Sequence, residues 1–95
     1  MIADLSGKTA IVTGGGQGLG FGISTKIAGQ GANIIVTDLD DRNKSAVEEL
    51  AKKNNVKSLY LEMDVTDPKT ITDAIKLAIE FSNIDILVNL SLIHI

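Results

Sequence analysis

The sequence contains no cysteine and no tryptophan, and it has one histidine, one proline and three aromatic residues in all, Phe21, Phe81 and Tyr60. The lack of cysteine excludes a disulfide framework, a thiolate nucleophile and a cysteine-ligated zinc site. A single histidine, His94, cannot build a histidine cluster. A formal net charge of −3 and so few rings argue against nucleic acid, which favours a basic face and often stacking side chains. The N-terminus has no basic start followed by a long apolar run, so no secretory signal is visible. No uninterrupted apolar stretch approaches the length of a membrane span. No membrane partner is expected, and a cytoplasmic location fits these absences.

What is present is an ordinary globular balance: 95 residues, 44% hydrophobic and 22% charged. Length alone favours one domain or part of one. Strand-like and helix-like segments alternate with short joints. "KTAIVT", Lys8 to Thr13, is a short apolar run with β-branched residues, closed by glycines, and reads as a buried strand. From Gly18 to Gln30 the residues Leu19, Ile23 and Ile27 recur every four positions and predict a helix face, with Gly31 as the stop. "NIIVTD", Asn33 to Asp38, is a second buried strand. Asp41 to Asn54 carries Val47, Leu50 and Ala51 on an otherwise polar helix. "KSLYLEMDV" holds a third strand. Asp67 or Thr66 caps a third helix with Pro68 at its first position, and Ile71, Ile75 and Ile79, with Ala74 and Ala78, form one apolar face. "DILVN", Asp85 to Asn89, is the fourth strand.

The order β-α-β-α-β-α-β with nearly continuous apolar strands predicts an α/β fold: a Rossmann-type, doubly wound parallel sheet, partial, with strand order 3-2-1-4. Ligands in such sheets bind at the strand carboxyl ends, at the switch point between strands 1 and 4. At the end of strand 1 stands "TGGGQGLG", Thr13 to Gly20. Glycines there permit tight turns and let a ligand approach the backbone, and the next helix N-terminus suits a pyrophosphate. The loop is not a P-loop, because Phe21 and Gly22 follow Gly20 where Lys and Ser/Thr would be needed. It is not G-x-G-x-x-G either, because counting from Gly14 and Gly16 ends on Leu19. It fits T-G-x-x-x-G-x-G at Thr13, Gly14, Gly18 and Gly20.

With that loop, Asp38 closing strand 2, "MDVTD" after strand 3 and "DILVN" in strand 4, the chain resembles the short-chain dehydrogenases/reductases over nearly its whole length. The resemblance implies an oxidoreductase that transfers hydride between a nicotinamide cofactor and a small alcohol or ketone. The 3-oxoacyl reductases and the polyol or acetoin dehydrogenases are two such groups. It implies that Gly14, Gln17, Gly18, Leu19 and Gly20 line the pyrophosphate, Leu19 through its backbone N–H, while Thr13 braces the turn. Asp38 would accept hydrogen bonds from the adenosine ribose, Asp64 and Val65 would hold the adenine, and Asn89 would sit at the adenosine side. A carboxylate at Asp38 repels the extra phosphate of NADP, and Gln17 stands where NADP-using members often carry a basic residue, so NAD is the expected cofactor. Family members of full length are expected to be homo-oligomers.

The family's chemistry uses a Tyr-x-x-x-Lys pair with an upstream Ser. The only tyrosine is Tyr60, and Asp64 stands four positions on, so Tyr60 is a strand residue and no catalytic residue is assigned. The expected organisation is a truncated dinucleotide-binding half-domain over residues 1–89, inactive alone. After Asn89 the family continues with a glycine turn, whereas this chain has Leu90-Ser91-Leu92. The string CTGTCTCTTATACACATC, a transposase end used as a sequencing adapter, translates to the last six residues. Leu90 to Ile95 are therefore expected to be a non-native tail. Two other readings stay open at this stage: a methyltransferase using a sulfonium methyl donor, which also places a glycine loop after strand 1, and a non-catalytic NAD-binding sensor.

Overall fold

The computed structural model describes residues 4–16, 18–39, 41–64, 66–81 and 83–89. Four strands and three helices alternate: β1 Thr9–Thr13, α1 Gly18–Gly29, β2 Asn33–Asp38, α2 Lys44–Lys53, β3 Ser58–Glu62, α3 Pro68–Phe81 and β4 Ile86–Asn89. Every strand pair is parallel, and the sheet order is β3-β2-β1-β4. The sequence-based order is thus the observed one.

The strands are apolar along their length because helices cover the sheet on two sides. Alternate residues of β2 show this. Ile34 and Val36 join Ala28 of α1 and Val47 and Leu50 of α2 in one core cluster. Ile35 points the other way and joins Leu61 of β3 with Ala74 and Ala78 of α3. Burying both faces of a strand removes the need for polar alternation.

Two helices meet the sheet on a different row from the one their large apolar residues suggest. In α1 the buried row is Gly20, Ser24 and Ala28, while Leu19 is 71% exposed. In α3 only Ala74 and Ala78 are buried, and Ile75 and Ile79 face outward. Small side chains let a helix axis approach the pleated surface, and the bulkier neighbours flank that contact. In α2 the predicted Val47, Leu50 and Ala51 are the buried residues. Its helix begins later than predicted, at Lys44, because residues 41–43 form a turn closed by the Lys44 N–H donating to the Asp41 carbonyl at 3.1 Å.

The start of α3 follows its sequence signal. Asp67 Oδ1 accepts the Lys69 N–H at 3.1 Å, and Pro68 occupies the first helical position. The acceptor satisfies one of the helix's orphan donors.

The outer strand β4 is fastened to β1 at its start. The Asp85 N–H donates to the Thr9 carbonyl at 2.8 Å, and Asp85 Oδ2 accepts the Thr9 N–H at 2.9 Å. Thr9 is fully buried. Asp85→Ala removes the acceptor from that amide, and the expected cost is about 1–3 kcal/mol, read as a lowered denaturation midpoint. An unchanged midpoint would show that the latch is redundant.

Candidate functional site

Because all the strands run parallel, their carboxyl ends share one edge of the sheet. Thr13, Asp38 and Asn89 are the last residues of β1, β2 and β4. Thr13 pairs in register with Thr37 on one side and Asn89 on the other. Asp38 pairs with Glu62 at the end of β3, and its carbonyl accepts the Met63 N–H at 2.7 Å. Asp64 follows directly. The edge therefore gathers Thr13, Asp38, Asp64 and Asn89 around the glycine loop. Gln17, Val65 and Leu90–Ile95 lie outside the described residues.

The loop turns sharply off β1. Gly14 has φ +70°, in the left-handed region that only glycine enters without strain. Its N–H donates to the Thr37 carbonyl at 2.7 Å, and the Gly15 N–H reaches the same oxygen at 3.3 Å. The Thr13 hydroxyl donates to the Val88 carbonyl at 3.3 Å and so ties the turn to β4. On the helix side, the buried Ser24 hydroxyl donates to the Gly15 carbonyl at 3.3 Å. At Gly20 a Cβ would run into the Gly14 carbonyl oxygen. The helix thus starts hard against the end of β1. Its first turn holds no acidic residue, and Leu19 turns its side chain outward.

Asp38 meets the loop directly. Its Oδ2 accepts the Gly16 N–H at 3.2 Å, and its Oδ1 accepts the Leu39 N–H at 2.9 Å. This link between the glycine loop and the acid of β2 joins residues 22 apart in sequence and has no local pattern. Gly16 counted only as a variable position in the loop motif. In the fold a Cβ there would approach Asp38 Oδ2 to 2.8 Å and the Tyr60 hydroxyl to 2.9 Å. Three successive glycines were the available signal for so tight a site. Ser24, which holds the loop, could have been found from the Gly20, Ser24, Ala28 spacing.

Asp64 has a local partner. Its Oδ1 accepts the Thr66 hydroxyl at 2.6 Å and the Thr66 N–H at 2.9 Å. The hydroxyl first, and then the N–H, hold its carboxyl below the ordinary value of 3.8. The folded state thus favours the carboxylate. Its contribution is present above the ordinary value and is lost as pH falls through the depressed one. Thr66→Ala is expected to raise the Asp64 titration midpoint toward 3.8, seen in the carboxyl carbon shift. A midpoint that does not move would overturn the assignment. Thr70 completes the turn: its hydroxyl donates to the Asp64 carbonyl at 2.8 Å and accepts the Asp64 N–H at 3.0 Å.

Among the described residues, no group of three histidine, cysteine or acidic side chains could hold a metal ion. Among the same residues, no helix is long and apolar enough to cross a membrane.

A parallel sheet of this order, with a glycine turn between β1 and a helix N-terminus, defines an α/β protein of the Rossmann nucleotide-binding class. The chain belongs to the short-chain dehydrogenase family, whose sequence profile matches residues 8–91. It is 41% identical over 85 residues to an L-2,3-butanediol dehydrogenase of Corynebacterium glutamicum, covering 86% of this chain and 33% of that protein. A dehydrogenase/reductase from Sinorhizobium meliloti superimposes with a TM-score of 0.84 at 32% identity, over 92% of this chain and 35% of that one. A 3-oxoacyl (acyl-carrier-protein) reductase from Agrobacterium tumefaciens with NADP bound gives 0.79 at 31% identity, over 90% of this chain and 33% of that one. The chain spans about a third of the length of the curated relatives it matches.

Proposed function

We propose that residues 1–89 form the dinucleotide-binding part of an NAD-dependent oxidoreductase acting on a small alcohol or ketone. The observation that carries the reading is the Asp38 carboxylate, held against the Gly16 N–H at the mouth of the glycine loop. An acid there suits the two hydroxyls of an adenosine ribose and opposes a 2′-phosphate. The residues fit the group. The turn at Gly14 and the close approach at Gly20 leave backbone, not side chains, at the start of α1, where a pyrophosphate gains from the helix dipole.

In this reading Gly14, Gln17, Gly18, Leu19 and Gly20 line the pyrophosphate and Thr13 holds the turn. Asp38 takes the ribose, Asp64 and Val65 hold the adenine, and Asn89 sits at the adenosine side of the cofactor. Asp64 Oδ1 is engaged by Thr66, so Oδ2 is the oxygen offered to the base. The bound nicotinamide would supply or accept the hydride. No Tyr-x-x-x-Lys occurs in the sequence, so the proton-transfer residues of this reading lie outside residues 1–89. Family membership supports an oxidoreductase over a methyltransferase. A non-catalytic NAD sensor shares the same cofactor site and would differ in lacking turnover.

The test is calorimetric titration of the protein from its complete reading frame with NAD, NADP and a sulfonium methyl donor. The expected result is saturable NAD binding, weaker NADP binding and none of the methyl donor. Tighter binding of NADP would overturn the cofactor choice, and no dinucleotide binding would overturn the reading itself.

A further inference from the structure

Tyr60 carries no role in the site so far, yet its hydroxyl lies beside Gly16 of the glycine loop. The residue stands on β3 opposite Val36 of β2. It packs against the cluster of Ala28, Ile34, Val36, Val47 and Leu50. That anchors the ring in the core. The hydroxyl extends past it to the glycine loop, where a Cβ on Gly16 would lie 2.9 Å from it and 2.8 Å from Asp38 Oδ2. Phenol and carboxylate thus flank the same side of Gly16, and Asn43 closes the space with its Cβ 3.3 Å from the same point.

We propose that Tyr60 is a positioning residue for cofactor selection: its hydroxyl walls the space beside Asp38 and keeps the carboxylate at the ribose end of the glycine loop. This rests on the reading of the loop as a dinucleotide site. An acid selects against a 2′-phosphate only while its charge stays where the phosphate would go. A carboxylate with room to rotate can turn away and admit the larger cofactor. Here Oδ2 is held by the Gly16 N–H and Oδ1 by the Leu39 N–H, and a hydroxyl on a ring packed against the core lies on the same side of Gly16. Discrimination is then shared between charge and shape, the shape coming from a strand residue outside the loop motif.

The test compares NAD and NADP dissociation constants for the wild-type protein, Tyr60→Phe and Gly16→Ala, each from the complete reading frame, with a thermal melt of each. Tyr60→Phe keeps the ring and its packing, so its melt should stay near wild type. Its preference for NAD over NADP should fall about fivefold, the scale of one net polar contact, chiefly because NADP binds better. Gly16→Ala keeps both polar groups but forces them apart, and it should lower the preference in the same direction. A purely structural tyrosine would shift the melt and leave the ratio alone. A ratio unchanged in Tyr60→Phe, with NAD still binding, overturns the role of Tyr60 whatever Gly16→Ala does, and leaves the dinucleotide reading intact. A wild-type protein that binds neither cofactor overturns both.

Discussion

Gly20→Ala should weaken dinucleotide binding by about a hundredfold or more, a loss on the scale that a misplacement of about an ångström costs between reacting groups. The added methyl has no space, because the Gly14 carbonyl oxygen already lies against that position. Neither partner can give way cheaply. Gly14 is fixed in a left-handed turn and its N–H is bonded to Thr37. Gly20 is the first member of the row that seats α1 on the sheet, followed by Ser24 and Ala28. The helix must therefore lift, which breaks the Ser24 bond to the Gly15 carbonyl and moves the N-terminal amides away from the place proposed for the pyrophosphate. Overpacking of this kind also costs about 1–3 kcal/mol of stability. Calorimetry and a denaturant melt on the same variant check both effects. Wild-type affinity together with a wild-type melt would contradict the close approach.

The second large effect is expected at Asp38. Asp38→Asn keeps a carbonyl oxygen for the Gly16 N–H, so the loop stays closed, but it removes the charge. The variant should lose about tenfold in NAD affinity, the scale of a charge-assisted hydrogen bond. NADP should bind more tightly than in the wild type, because its extra phosphate no longer meets a carboxylate. The ratio of the two dissociation constants, measured at one ionic strength, should shift by more than tenfold toward NADP. An Asn variant that keeps the wild-type ratio would show that selection resides elsewhere in the protein. Asp38→Ala is the less clean experiment, since it also takes the acceptor from Gly16.

The two substitutions probe parts of the site that differed in how well the sequence disclosed them. The element order and the sheet order were legible because β1, β2 and β4 are apolar runs rich in β-branched residues, β3 is a short run around Leu59, Tyr60 and Leu61, and Pro68 after Asp67 marks the start of α3. For the central strands β1 and β2 such a pattern follows from burial of both faces. The seating of the helices was not legible. Leu19, Ile23 and Ile27 form a row at intervals of four, and so do Gly20, Ser24 and Ala28, one residue further along and about 100° around the axis. Hydrophobicity selects the first row, but the sheet lies too close to α1 for large side chains, so the second row is buried. The same competition in α3 leaves Ile79 63% exposed while Ala78 is fully buried.

The candidate site divides in the same way. Gly14, Gly18, Gly20 and Asp38 could be marked from a spacing, because a tight turn and an acid at a strand end are local requirements. The contact of Gly16 with Asp38 and the arrival of the Tyr60 hydroxyl depend on β1, β2 and β3 lying side by side. Only the strand register supplies that: Val12 with Val36, and Val36 with Tyr60. Tyr60 could be set aside as a catalytic acid from the sequence, since Asp64 stands where a lysine is needed. Its nearness to the loop could not.

The latch between Thr9 and Asp85 has a kinetic meaning. It joins residues 76 apart, the first and last strands in chain order, whereas β1 meets β2 and β2 meets β3 across much shorter stretches of chain. The entropy of closing a loop must be met before its contacts form, and it grows with the length closed. We expect β1, β2 and β3, with α1 and α2, to assemble first, and β4 to dock last, as the slow step of a topology rich in distant pairings. Substitutions at Asp85 should therefore speed unfolding and leave the folding rate nearly unchanged. The mouth of the glycine loop, which Thr13 ties to Val88, would then be completed only when that final strand arrives.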